Sequence, residues 1–339
     1  MTRYLSWLRW LLLLAIGLPA FLAVGLYLYS NQRLTFSSAP LTYDLKSGSN
    51  LRSVARELAA AGVLREPYLF EILGRVLRDA PHLKAGNYEF ESPITPLQLL
   101  RKMTRGDATQ FSVRFIDGWT FKQVRLALDT HEALSHDTRD LSSEAIARRL
   151  GIADGRVEGW IFPETFHFSR GTSDLAVLQR AHRLMQSRLT ALWSQRAANL
   201  PLATPYEALI LASIVEKETG KAEDRAMVTS VFVNRLRINM RLQTDPTVIY
   251  GMGEAFDGNL RRRDLQADTP WNTYTRGGLP PTPIAMPGTA ALAATMNPTE
   301  SKMLYFVARG DGSSQFSRNL DEHNAAVNKY IRSQRKTQP

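Results

Sequence analysis

The stretch Thr204–Gly220, Thr-Pro-Tyr-Glu-Ala-Leu-Ile-Leu-Ala-Ser-Ile-Val-Glu-Lys-Glu-Thr-Gly, sets the strongest condition on the fold. Thr204 suits a helix N-cap, Pro205 the first helical position, Glu207 completes a capping box, and Gly220 supplies a stop. Between these ends Ala208–Val215 is apolar apart from Ser213. A helix without a polar face has to be enclosed on every side. The rest of the chain must therefore supply layers around it, and 339 residues at 44% hydrophobic content are enough for a sizeable core and two or three domains.

The last turn of this helix carries two carboxylates, Glu216 and Glu218. Glu216 follows the apolar run, so its side chain is expected where core meets cleft, a setting that raises a carboxyl pKa and suits a general acid. Residues two apart on a helix diverge by about 200° around its axis, so the pair cannot line one cleft. Glu216 shares a face with Leu209, Ala212 and Ser213; Glu218 lies nearer Gly220 and can be solvated or paired with Lys217 or Lys221. From the residues alone, two ordinary helix-end glutamates remain an open alternative.

The amino terminus imposes a second condition. Arg3 and Arg9 precede Trp10–Tyr29, twenty residues without a charge, framed by Trp7, Trp10, Tyr27 and Tyr29. At about 1.5 Å per residue such a helix spans a bilayer. Basic residues ahead of it, with Asp44 the first acid after it, place residues 1–9 in the cytoplasm and the remainder across the membrane. A cleaved signal peptide is the rival reading. The run is long, however, and its small residues Ala20, Ala23 and Gly25 lie inside it, which favours an anchor over residues 10–29.

Beyond a polar linker, residues 30–44, Leu51, Val54, Ala55 and Leu58 repeat at helical spacing, and Gly62 ends that helix. Val63–Leu64 reads as extended, Tyr68–Leu77 as a second helix, Ala85–Phe90 as a strand and Thr95–Met103 as a third helix, closing a module over residues 45–106. Residues 107–339 form the larger domain. It opens with a strand at Phe111–Phe115, helices at Thr120–Leu128 and Ser142–Leu150, and an aromatic turn at Gly159–Phe166. A long helix Leu175–Leu192 precedes the central one, and Glu223–Asn239 follows it. Asp268–Gly288 is a long loop, with Trp271 and Tyr274 pointing to a functional one. Ala290–Met296 reads as a helix capped by Thr289, Met303–Ala308 as a strand before a turn at Gly310–Ser314, and Asp321–Ile331 as a final helix. The expected class is α+β: one N-terminal transmembrane helix, a small β/α module and a larger mixed domain.

Several chemistries drop out. The chain has no phosphate loop, dinucleotide-binding glycine pattern, His-Glu-x-x-His or Gly-x-Ser-x-Gly. Cysteine is absent, which excludes disulfides and thiolates. His82, His131, His136, His167, His182 and His323 lack metal-ligand spacing, so neither metal nor cofactor is expected. The formal charge of +10 suits nucleic acid, an anionic membrane, an acidic polymer or plain solubility. Basic residues alternate with acids and form no long run, which argues against nucleic acid. Carboxylates remain, and amides, hydroxyls and rings suited to a polysaccharide groove follow them: Asn234, Gln243, Asp245, Tyr250, Asn272, Thr273 and Tyr274. Asp245 and Asn272 can equally cap turns, and Tyr250 can be core.

Leu211–Thr219, Val231–Leu236, Leu242–Gly251, Asn272–Tyr274 and Gly278–Pro281, taken in order, resemble the membrane-anchored endolytic murein transglycosylases, the YceG-like (MltG) family. The resemblance covers nearly the whole chain, including the anchor, Glu158–Phe166 and the 45–106 module, which looks like the family's LysM-like subdomain. It implies cleavage between N-acetylmuramic acid and N-acetylglucosamine within nascent peptidoglycan strands. It also implies a position at the bacterial inner membrane with the catalytic domain periplasmic, and peptidoglycan synthases (penicillin-binding proteins) as partners. The family's catalytic glutamate falls at Glu216, acting as acid and then as base, with no water consumed and a 1,6-anhydro end formed. Candidates to line the glycan site are Glu164, Ser213, Glu218, Asn234, Gln243, Asp245, Tyr250, Asn272 and Tyr274. A hydrolase would need a second carboxylate, for which Glu164 and Asp245 are the candidates. A non-catalytic peptidoglycan-binding scaffold is the other rival.

Overall fold

The structure, a computed structural model, describes residues 2–36, 41–46, 48–108 and 110–332, with side chains from residue 17 to residue 330. The expectations for Arg3, Trp7, Arg9, Trp10 and Ser47 therefore lie outside the described side chains. The chain divides into two compact units, the first reaching Phe111 and including His167–Gly171, the second holding the rest.

In the first unit Leu41–Leu45 pairs antiparallel with Gly86–Phe90, Leu41 opposite Phe90 and Leu45 opposite Gly86. Helices Leu51–Ala60 and Pro67–Val76 lie between these strands in sequence, and Pro96–Arg105 follows them. Asn50 accepts from the Ser53 amide at the first helix, Thr95 and Gln98 form a full capping box at the third, and Gly106, at φ 81°, stops it. Val54, Leu58, Phe70, Tyr88, Phe90, Leu99, Leu100 and Met103 are fully enclosed, each large apolar side chain contributing about 1.5–3 kcal/mol by leaving water. The segment read as a linker belongs to this packing. Leu34 exchanges backbone hydrogen bonds with Ile94 and is buried, and Leu41, Tyr43 and Leu45 alternate inward along the strand. Val63 and Leu64, expected to be extended, instead sit in the turn after the first helix, both amides donating to the Leu58 carbonyl.

The helix Thr2–Asn31 contains Pro19 and packs near its end against helices of this unit, where Tyr29 is buried. Among the described side chains, which begin at residue 17 of this helix, no helix is long and apolar enough to cross a membrane. Leu18, Phe21, Leu22, Val24, Tyr27 and Leu28 are exposed, and the neighbouring helix Pro67–Val76 exposes Tyr68, Leu69, Ile72 and Val76.

The second unit encloses the central helix, Pro205–Glu218, as its composition requires. Asp174–Ser194, Ala222–Arg237, Asp245–Met252 and Thr289–Met296 pack around it, and Ala208–Val215 is wholly buried. Ser213 resolves its own polarity within the core, donating to the Ile210 carbonyl and accepting from the Ile284 amide at 2.7 and 3.0 Å. Gly159 has to be glycine: its φ is +82°, and a Cβ there would lie 2.5 Å from the Pro283 ring. The helix Asp245–Met252 is not expected from local pattern. Thr247, Val248 and Ile249 are β-branched and Gly251 is a poor helix former, so tertiary packing overrides weak local preference there. Thr289–Met296 starts one residue earlier than expected, with Gly288 rather than Thr289 at the cap. Leu134–Ser135 pairs parallel with Thr172–Ser173, and Tyr305–Ala308 pairs antiparallel with Ser314–Ser317 across the expected turn. Helices surrounded by short two-stranded pairs make this an α+β protein, as expected.

Candidate active site

The two glutamates at the end of the central helix leave it in different directions. Glu216 Oε2 accepts from the Gly288 amide at 2.9 Å, and its Oε1 lies 3.7 Å from the Arg225 guanidinium. Asp117 stands on the same flank, so close to Gly288 that a Cβ on that glycine would lie 2.6 Å from the Asp117 carboxylate. Burial raises the Glu216 pKa, opposed by the Gly288 amide and the Arg225 charge. Its side chain is only 8% exposed, and its oxygens are committed to Gly288 and Arg225.

Glu218 faces a different environment. It accepts from the Thr244 hydroxyl and lines a cavity of about 420 Å³ together with Arg235, Gln243, Asp245, Tyr274 and His323. Burial raises its pKa and the neighbouring Asp245 charge adds to the rise, while Thr244 and Arg235 oppose it. The walls are tightly held. Tyr274 donates to Asp245 Oδ1 at 2.6 Å, and Arg235 is fixed by the carbonyls of Leu304, Arg241 and Leu242 with its guanidinium 5.2 Å from the centre of the Tyr305 ring. Gln243 sits at φ 47°, a left-handed conformation unusual for this residue, and its amide donates to the Thr273 carbonyl.

The cavity thus gathers Gln243, Asp245 and Tyr274 from the sequence-based candidates, and it gathers them around Glu218 rather than Glu216. The difference lies in the neighbours of each: Gly288 and Arg225 hold Glu216, whereas Glu218 lines the cavity with Leu242, Gln243 and Asp245. The other candidates hold the fold. Asn234 is buried and donates to the carbonyls of Ser301 and Met303. Asn272, fully buried, donates to the carbonyls of Leu265 and Ala267 and accepts from the Tyr274 amide, which positions Tyr274. Ser213 is a core residue. Glu164 is exposed and accepts from the Thr165 amide; burial raises the pKa of Asp117 on the Glu216 flank, and the Glu164 charge adds a smaller push in the same direction.

Tyr250 donates at 3.2 Å to Glu158, which also accepts from the Phe121 amide at 3.0 Å. Burial pushes the Glu158 carboxyl up from 4.5 to about 7 against these bonds. A single acid before Gly159 carries no local signal of such a role. Arg235, Tyr305 and His323 also line the Glu218 cavity without any local pattern that marks them as a group. For Arg235 a signal was present: it is a charge within Val228–Leu236, the apolar part of its helix, and is buried.

A carboxyl whose acid form is favoured, opening on a polar cavity with aromatic walls, can deliver a proton and then accept one. Such a site needs no metal or cofactor to do so.

The YceG-like family model matches residues 43–329. An endolytic murein transglycosylase of Bacillus subtilis is 28% identical over 331 residues, 91% of each chain. An endolytic murein transglycosylase of Streptococcus pneumoniae is 27% identical over 327 residues, which are 86% of this chain and 59% of that relative. A crystal structure of a yceG-like protein from Listeria monocytogenes superposes with a TM-score of 0.55 at 28% identity, covering 85% of this chain and 99% of the other. With the family match running from the first strand through the last helix, this chain belongs to the YceG-like family.

Proposed function

We propose that the chain is an endolytic lytic transglycosylase that cuts the bond between N-acetylmuramic acid and N-acetylglucosamine within peptidoglycan strands, with Glu218 as acid and then base. The names of the relatives support the activity. The observation that carries the assignment of Glu218 is the shared cavity with Gln243, Asp245 and Tyr274. Protonated Glu218 gives its proton to the glycosidic oxygen as the bond to the muramyl C1 breaks. The charge left on the sugar faces Asp245, whose carboxylate is fixed by Tyr274. The muramyl C6 hydroxyl then bonds to C1 and returns its proton to Glu218, so the acid is regenerated and no water is consumed.

Asp245 in the same cavity also favours a second reading, hydrolysis by two carboxylates. Mass spectrometry of digested murein separates the two: 1,6-anhydro ends are expected, and reducing ends would give the reaction to the hydrolase.

The proposal extends to location. Residues 10–29 anchor the chain in the bacterial inner membrane with the amino terminus cytoplasmic, the first unit acts as a LysM-like glycan-binding module, and both units work in the periplasm beside the synthases that make the strand. The uncharged run supports this, as do the exposed Leu69, Ile72 and Val76, which adjoin exposed Phe21, Leu22 and Tyr27 around one apolar groove. With two arginines ahead of the span, the exported part carries +8 of the total +10, which suits an anionic envelope. The chain has no cysteine, so a Val76→Cys variant carries a single thiol. In membrane vesicles open to the periplasmic side, that thiol is expected to react slowly with a charged maleimide and quickly once detergent is added. Equal rates before and after detergent would detach this face from the bilayer.

A further inference from the structure

The parallel pairing of Leu134 with Thr172 and Ser135 with Ser173 brings the next residues of both segments, His136 and Asp174, to the same end of the pair. Asp129, the last residue of the helix Phe121–Asp129, reaches the same point, its carbonyl accepting from the Arg139 guanidinium of the intervening loop at 2.6 Å. One ligand-type atom from each of Asp129, His136 and Asp174 lies within 4.8 Å of the other two. No regular spacing announces this in the sequence, because three separate segments supply the residues.

Two of these side chains hold polar atoms with unmet bonding capacity. Asp129 Oδ1 and His136 Nδ1 are shielded from solvent and have no hydrogen-bond partner. Leaving such shielded atoms unpaired is unfavourable. Asp174 is fully buried, with Oδ2 accepting from the Thr138 hydroxyl and amide at 2.6 and 3.2 Å and Oδ1 from the Leu175 amide. That is the outer support that orients a ligating carboxylate. Among the described residues neither aspartate forms an ion pair, and the nearby Arg125 guanidinium is taken up by the carbonyls of Thr138, Arg139 and Leu141. The negative charge of the cluster is thus left for another cation. Asp129 also lines an open cavity of about 680 Å³ with Phe121, Lys122 and Ser143.

We propose that Asp129, His136 and Asp174 bind one divalent first-row transition ion of the Zn²⁺ type. One imidazole with two carboxylates suits such an ion, whereas Mg²⁺ and Ca²⁺ take all-oxygen sets. The ion clips the end of one helix to the start of another and to the loop between them. Its role is structural and separate from the glutamate cavity.

The full-length protein in detergent, stripped with a chelator and dialysed, is titrated with Zn²⁺ while bound metal and the thermal midpoint are followed. One equivalent is expected to bind and raise the midpoint, and Co²⁺ in its place is expected to give visible absorption bands. Asp129→Asn, which preserves shape, and His136→Gln are each expected to lose both effects, while His82→Gln on the first unit keeps them. Circular dichroism of the stripped variants establishes that they are folded, and Asp129→Asn decides the matter if His136→Gln is not. Wild type binding no more Zn²⁺ than Asp129→Asn would overturn the site.

Discussion

Glu218→Gln is expected to stop murein cleavage, lowering the rate by about 10²–10⁴-fold, while Glu216→Gln keeps the 1,6-anhydro product and loses stability instead. The two substitutions are chemically identical and two residues apart, so their contrast isolates position. In Glu218→Gln the new amide could still accept from Thr244 and fill the same volume, but it has no proton to give to a leaving oxygen. The thermal midpoint of this variant is expected to stay at or above that of the wild type, because burial works against the carboxylate form of Glu218. At Glu216 the carboxylate lies 3.7 Å from a guanidinium only 14% exposed, and removing its charge leaves Asp117 as the remaining acid acting on that arginine. A stability loss of about 1–3 kcal/mol follows. Anhydro-muropeptide release and the thermal midpoint, measured on both variants, check the split. Activity surviving in Glu218→Gln and vanishing in a folded Glu216→Gln would return the acid to the Gly288 flank. If neither variant lost activity while binding to sacculi persisted, the scaffold reading would stand.

The contrast also marks what the sequence could and could not carry. The central helix was legible to within a residue, because Thr204, Pro205 and the apolar run each act locally and agree. The divergence of the two glutamates was legible too, since helix geometry alone determines it. Which of them faces open space was not. That depends on Gly288 and Arg225 arriving at one flank while Leu242, Gln243 and Asp245 shape a cavity at the other, and those arrangements belong to segments distant in sequence or to a loop. The same limit hid the helix that starts at Asp245, whose own residues favour it weakly, and the cluster of Asp129, His136 and Asp174, which only the strand register assembles. It also explains why Asn234, Asn272 and Tyr250 looked sugar-facing: their side chains have the right chemistry, and only the fold spends it on the carbonyls of Ser301 and Ala267 and on the Glu158 carboxylate.

Glu158 gives the second large effect, in the pH dependence of stability. Its carboxyl titrates near 7 in the folded chain and near 4.5 when unfolded, because burial penalises the charged form more than the Phe121 amide and the Tyr250 hydroxyl favour it. Below pH 4.5 the group is protonated in both states and the folded protein keeps its full stability from this source. As the pH rises the unfolded chain releases the proton first, so stability falls through this window and the loss is complete once the pH passes the folded value near 7. A shift of this size corresponds to about 3 kcal/mol, or roughly 6–12 °C in the thermal midpoint of a domain of this size. Glu158→Gln retains an acceptor for Phe121 and Tyr250 yet cannot ionise. Its midpoint is expected to match the wild type at pH 4.5 and to exceed it by that margin at pH 8, other titrating groups cancelling between the two proteins. Parallel curves for the two proteins would mean that Glu158 ionises in the folded state as easily as in water. The consequence reaches the site through Tyr250, which sits on the helix that begins with Asp245 and contacts Trp271 edge to face at 5.6 Å. Whatever charge Glu158 carries is therefore felt by the element that positions the carboxylate opposite Glu218, and Glu158→Gln is expected to alter the alkaline limb of the cleavage rate while leaving the anhydro product unchanged.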